Sequence, residues 1–196
     1  ECKEDVSPEA FQAFIDGADG AGLGAFFVNE CHKVGGGMVP SAKFPASPLV
    51  GLCEEMFDLQ AKMAVGTVNP DMMAKFAGEL AGYFAPSIDL TTSSGVTSKG
   101  DFGTMMTAIM PIWNGFKNSK VDNLGATVEG QTVTWAQRYH GVMTLEDGTE
   151  VPGTASKLVV THKLAFDGDS KVCAWEQVFD AEWVASCHAK AAALKA

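Results

Sequence analysis

Gln131-Thr132-Val133-Thr134-Trp135-Ala136-Gln137-Arg138-Tyr139-His140-Gly141-Val142-Met143 decides how this chain is read, because its larger apolar side chains recur at every second residue. Period two marks a strand with one buried face. It sets Val133, Trp135, Gln137 and Tyr139 on the apolar side, with Arg138 and His140 opposite. The same period runs from Val121 onward, with strand-like stretches over about 121–128, 131–143, 155–166 and 171–180. Glu129-Gly130, Asp147-Gly148 and Gly168-Asp169 are the turn signals between them.

Upstream of Val121 the period is 3.6. A helix over about 47–64, capped by Ser47-Pro48, carries Leu49, Leu52, Cys53, Met56, Leu59 and Met63 along one face. A second helix opens at Asn69-Pro70 and places Met73, Phe76, Ala77, Leu80 and Phe84 at helical spacing until Pro86 stops it. Ile88–Thr92 follows as a short strand. A third helix, about 98–117, buries Phe102, Met105, Met106, Ile109, Ile112, Trp113 and Phe116, with a kink expected at Pro111. Helices followed by a run of antiparallel strands make an α+β layout.

Before this domain lies an extension, residues 1–46. Ser7-Pro8 opens a short helix, Ala25–His32 is a second short element, and Gly35-Gly36-Gly37 leads into a loop punctuated by Pro40, Pro45 and Pro48. A helix rich in Ala and Lys, 181–196, closes the chain. The plan is thus an extension (1–46), a main domain (47–180) and a C-terminal helix (181–196).

Of the 196 residues, 46% are hydrophobic and 19% charged, an ordinary globular composition. No apolar run approaches the roughly 20 residues that span a bilayer. The net charge of −10, with no basic stripe, excludes a nucleic-acid binder and serves solubility. Glu1 at the start suits a product trimmed from a precursor, as for an organelle or secreted protein, and an expression boundary explains it equally. The five cysteines are too few for a disulfide scaffold. Cys53 and Cys173 fall inside a helix and a strand, where free buried thiols are the rule, while Cys2, Cys31 and Cys187 leave room for one bridge.

Three segments resemble the SnoaL-like branch of the NTF2-like superfamily. Tyr83-Phe84-Ala85-Pro86 is similar to the family's helix end before an extended run. Arg138-Tyr139-His140-Gly141, followed by Pro152-Gly153, resembles its central strand and hairpin. Lys171-Val172-Cys173-Ala174-Trp175-Glu176-Gln177-Val178-Phe179-Asp180 resembles its last strand. The resemblance covers about two thirds of the chain and rests on the order of the segments. It implies a cone-shaped barrel of three helices packed on a curved antiparallel sheet around a pocket, in a fold shared by isomerases, cyclases and non-enzymatic binders. The family's catalytic histidine and aspartate positions read Tyr139 and His162 here, and the acidic residue after its Phe-Ala-Pro reads Ser87.

Alternation then selects the pocket candidates. Leu158, Val160, His162, Leu164 and Phe166 share a face, so His162 is a histidine on an apolar face, either a core residue or an acid/base. Cys173, Trp175, Gln177 and Phe179 share another, which the resemblance turns inward. His162 and Tyr139 are the candidate catalytic pair. Trp135, Gln137, Trp175, Gln177, Tyr83, Trp113 and Asp89 are the candidate ligand contacts. Methionines at helical spacing suit a lipophilic ligand. No cofactor is expected, since Gly35-Gly36-Gly37 lacks the strand and helix of a phosphate loop. No metal is expected either, since Cys31-His32 and Cys187-His188 match no zinc spacing.

Three functions compete. The first is a pocket protein that binds a lipophilic small molecule, and the second is a lyase or isomerase using His162 and Tyr139. The third is a non-catalytic subunit that docks, as a homodimer or within a larger assembly, through the sheet face of Thr134, Ala136, Arg138, His140, Val159, Thr161 and Lys163.

Overall fold

Residues 44, 45 and 47–195 are described by a computed structural model of the chain. The two short N-terminal helices expected above lie outside these residues, as do Cys2, Cys31 and His32.

Helix α1 (Pro48–Ala64) starts where Pro48 fixes the first turn, but the Ser47 side chain makes no cap hydrogen bond. Its buried stripe runs through Val50, Cys53, Met56, Phe57 and Ala64. The stripe is rotated from the one expected, because Phe57 seats against Trp135, His162 and Trp175 in the sheet. A two-residue strand β1 (Gly66–Thr67) follows. Helix α2 (Pro70–Leu80) is capped as the sequence implies, with Asn69 Oδ1 accepting from Met72 N at 3.0 Å, and it buries Phe76 and Leu80.

A tight turn, Ala81–Tyr83, leads into β2 (Phe84–Thr92), which begins earlier than expected. A hairpin then returns β3 (Thr97–Gly100), a polar strand with no alternating apolar pattern to betray it. Helix α3 is accordingly shorter than expected, Phe102–Trp113. Asp101 caps its start by accepting from Thr104 N at 2.8 Å. Gly115, at φ 85°, turns the chain so that Phe116 opens β4 rather than extending the helix.

The long strands β4 (Phe116–Glu129), β5 (Thr132–Met143), β6 (Ser156–Phe166) and β7 (Val172–Val178) form the rest of the sheet, and α4 (Ala181–Lys195) ends the described chain. The seven-stranded order is β1-β4-β5-β6-β7-β2-β3. The expectation of a wholly antiparallel sheet needs correction, because β2 pairs parallel to β7. The hairpin to β3 fixes the direction of β2, and β7 runs opposite to β6, so the two strands meet pointing the same way. Register shifts at Asn118/Lys120, Asn123/Gly125 and Ala165/Phe166 bend the sheet around the helices.

The main core lies between the sheet's inner face and α1, α2 and α3. A second apolar cluster joins the end of α3 to α4 through Ile112, Phe116, Val184 and Cys187. Cys187 is a free buried thiol there, and His188 Nε2 donates to the Ile112 carbonyl at 2.9 Å. Two residues along from the Phe116–Met143 pair, Gly141 lies so close to β4 that a Cβ would come within 2.6 Å of Asn118 Oδ1. Asn118 in turn donates to the Ala64 carbonyl at 3.2 Å, satisfying the C-terminus of α1.

Candidate functional site

A narrow cavity of about 80 Å³ lies between the inner face of the sheet and the helices. Its walls are almost entirely apolar, with aromatic rings from α2, α3, β2 and β7 and three flexible methionines, Met56, Met106 and Met110. Trp183 of α4 also lines it, so the C-terminal helix is part of its wall.

Among the candidates drawn from the sequence, His162, Tyr139, Trp113, Trp175 and Gln177 line this cavity. His162 stands at the centre of β6 and is 1% exposed. Trp175 Nε1 donates to its Nδ1 at 3.1 Å, and Phe57 lies against the ring at 4.7 Å between centroids. An indole N–H can only donate, so Nδ1 is the bare nitrogen and the neutral ring carries its proton on Nε2. Nε2 is buried and has no hydrogen-bond partner among the described residues. Burial away from water, with no counter-charge, pushes the imidazole down to about 3, so it is neutral at physiological pH. Gln177 faces His162 directly across β6 and β7, and accepts from Trp113 Nε1 at 3.3 Å.

Tyr139 is paired with Leu158, four residues along β6 from His162. At roughly 3.4 Å per residue the two side chains are rooted about 14 Å apart along the strands. The Tyr139 hydroxyl donates to Gln137 Oε1 at 2.7 Å, and burial pushes the phenol up, beyond physiological titration. Gln137 and Trp135 both donate to Asn123 Oδ1, at 2.9 and 3.3 Å, and neither lines the cavity. Trp135 is instead stacked between Phe44 and Phe57.

Two expected ligand contacts lie elsewhere. Asp89 is on the outer face, 58% exposed and paired with Lys99 at 2.9 Å. Tyr83 donates to Glu55 at 3.4 Å at the surface. The β7 face also differs in one respect: the register shift at Ala165/Phe166 brings Val172 into the core, and Cys173 Sγ is left to the Ala165 carbonyl. The sequence reading missed Phe57 and Gln60, which α1 presents to the cavity, and Trp183. Phe57 falls one position off the apolar stripe, and Gln60 reads as a surface residue until α1 is laid across β5.

No curated protein matches the chain. A family model described as Domain of unknown function (DUF8652) matches residues 1–51. Among solved structures, a protein assigned as a SnoaL-like polyketide cyclase from Jannaschia Sp. CCS1 is similar at 15% identity over 72% of this chain and 94% of its own, with TM-score 0.54. TerC, co-crystallised with polyporic acid, is similar at 11% identity over 72% of this chain and 98% of its own, with TM-score 0.50. The fold is NTF2-like, of the SnoaL-like kind.

Proposed function

We propose that the protein binds a lipophilic, carbonyl-bearing small molecule in the inner cavity, and that it holds this ligand rather than transforming it. In this reading the curved sheet and helices form a cone, with the cavity at its centre. The observation that carries the proposal is the His162 Nε2 proton, buried with no partner among the described residues on a side chain that lines the cavity. A polar donor in apolar surroundings is costly unless something accepts from it, and a ligand carbonyl is suited to do so. The two fold relatives named above, one assigned as a polyketide cyclase and one crystallised with polyporic acid, belong with this ligand class.

Binding is favoured over lyase or isomerase chemistry on two grounds. An imidazole held neutral down to about pH 3 is a weak base, and Tyr139 is rooted well away from it along the sheet. The cavity is slim, and the methionines in its wall can shift to admit a ligand.

Organic extraction of protein purified from its native source, followed by mass spectrometry, tests the reading. The expected result is a stoichiometric carbonyl-bearing lipophile, absent from the His162→Phe variant. Repeated extraction with no small molecule from folded wild-type protein would overturn it.

A further inference from the structure

The polar groups around the cavity form two directed sets of interactions, and each ends on an atom with no hydrogen-bond partner among the described residues. The first set starts at Trp175, whose N–H fixes the His162 tautomer and leaves the proton on Nε2, a buried atom of a side chain that lines the cavity. The second starts at the surface, at the carboxylate of Asp58, which can only accept. Asp58 Oδ1 takes Asn123 Nδ2–H at 2.8 Å, so Asn123 Oδ1 is turned toward β5. There it receives Gln137 Nε2 and Trp135 Nε1. Gln137 is thereby oriented with Oε1 toward the Tyr139 hydroxyl, which gives its proton to that oxygen. The Tyr139 oxygen then has only acceptor capacity left, and the neighbouring Gln60 side chain acts on it in the donor sense, holding the phenol lower than burial alone would. The amide N–H of Gln60 is the group suited to that role, and its Oε1 is buried with no hydrogen-bond partner among the described residues.

Gln60 and His162 line the same cavity. Along α1, Gln60 stands three residues, about 4.5 Å of rise, beyond Phe57, whose ring rests on His162. Two side chains of the cavity lining thus carry one buried donor and one buried acceptor, with the Phe57 ring against His162 and one turn of α1 from Gln60.

We propose that the ligand is a bifunctional lipophile. A carbonyl-type acceptor takes His162 Nε2–H, and a hydroxyl or N–H on the far side of an apolar ring donates to Gln60 Oε1. Asp58, outside the cavity, is the positioning residue that sets the polarity of the Gln60 end through Asn123, Gln137 and Tyr139. This rests on the cavity-binding reading and adds the ligand's donor, its placement and the residue that dictates it.

Calorimetric titration of the full chain with four matched probes tests it: para-hydroxybenzophenone, benzophenone, para-benzylphenol and diphenylmethane. The first is expected to bind about tenfold or more tighter than either probe with a single polar group, and diphenylmethane weakest. Gln60→Leu should erase the advantage of the hydroxyl and keep that of the carbonyl, and His162→Phe should do the reverse. Asp58→Asn, a surface change that frees the amide chain to flip, should reduce the hydroxyl's advantage without removing the cavity. A carbonyl advantage with no hydroxyl advantage overturns the bifunctional ligand and leaves the cavity reading standing, whereas equal affinity for all four probes overturns the carbonyl contact as well. Failure of all four to bind overturns both. A hydroxyl preference unchanged in both Gln60→Leu and Asp58→Asn overturns the assignment to Gln60.

Discussion

The two faces of one sheet treat their histidines in opposite ways. On the inner face His162 is sealed among aromatic rings, accepts a hydrogen bond from an indole and has no charged partner among the described residues. On the outer face, one strand away, His140 is 24% exposed and meets Asp122 Oδ2 at 2.7 Å, with Lys120 also on that carboxylate. Desolvation pushes the Asp122 carboxyl up, but hydrogen bonds and charge from Lys120 and His140 outweigh it and hold the group below its usual range. Strand alternation alone separates the two environments, since neighbouring residues point to opposite sides. The inner face spends no charge and relies on shape and hydrogen-bond direction, whereas the outer face balances charges that water already screens.

This contrast can be broken most severely at Trp175. Trp175→Ala removes a core ring and leaves His162 Nδ1 without its donor, so urea denaturation should report a loss of about 3–5 kcal/mol. A loss below about 1 kcal/mol would mean that the inner face is not packed as described. Next in size is a pH effect. In the unfolded chain a histidine takes a proton near pH 6.5, whereas folded His162 resists until about 3. Its contribution is therefore fully present above pH 6.5 and is lost as pH falls toward 3. Wild type should lose on the order of 1 kcal/mol per pH unit more than His162→Phe across that window. Parallel stability curves for the two proteins would remove the inner half of the comparison.

The outer face should respond less. Asp122→Ala is expected to cost under about 1 kcal/mol, and the effect should shrink further in high salt. A larger, salt-insensitive cost would show the His140–Asp122 pair to be structural. Smallest of all, Asp89→Ala should shift stability by no more than about 0.5 kcal/mol and leave probe binding unchanged. A fall in probe affinity would return Asp89 to the site.

The alternation in β5 and β6 was legible because each strand has one buried and one half-open face, and composition follows that difference directly. The cap of α2 was equally plain, since Asn69-Pro70 satisfies a local requirement that no tertiary contact overrides. What escaped is what depends on distant partners. β3 is held by backbone pairing to β2 and needs no apolar pattern of its own. The parallel pairing of β2 with β7 joins segments roughly eighty residues apart, and neither carries a mark of the other. In the site, His162, Trp175 and Gln177 could be picked out as polar or aromatic members of apolar faces. Gln60 could not, because its burial comes from the placement of α1 and its meaning from an amide chain that starts at a surface carboxylate.

The parallel pairing also bears on the order of assembly. Strands β4, β5 and β6 follow one another as near-neighbour hairpins and can zip together as soon as they are made. The hairpin of β2 and β3, made much earlier, has no sheet to join until β7 arrives. Its open edge must wait while the chain from Gly100 to Val172 is made, a period when a chain is prone to the wrong partners. The strand that ends this wait is the one carrying Trp175, so the step that joins the sheet is also the step that orients His162. A chain cut just before Val172 would thus be left with both an unsealed sheet and an unformed site.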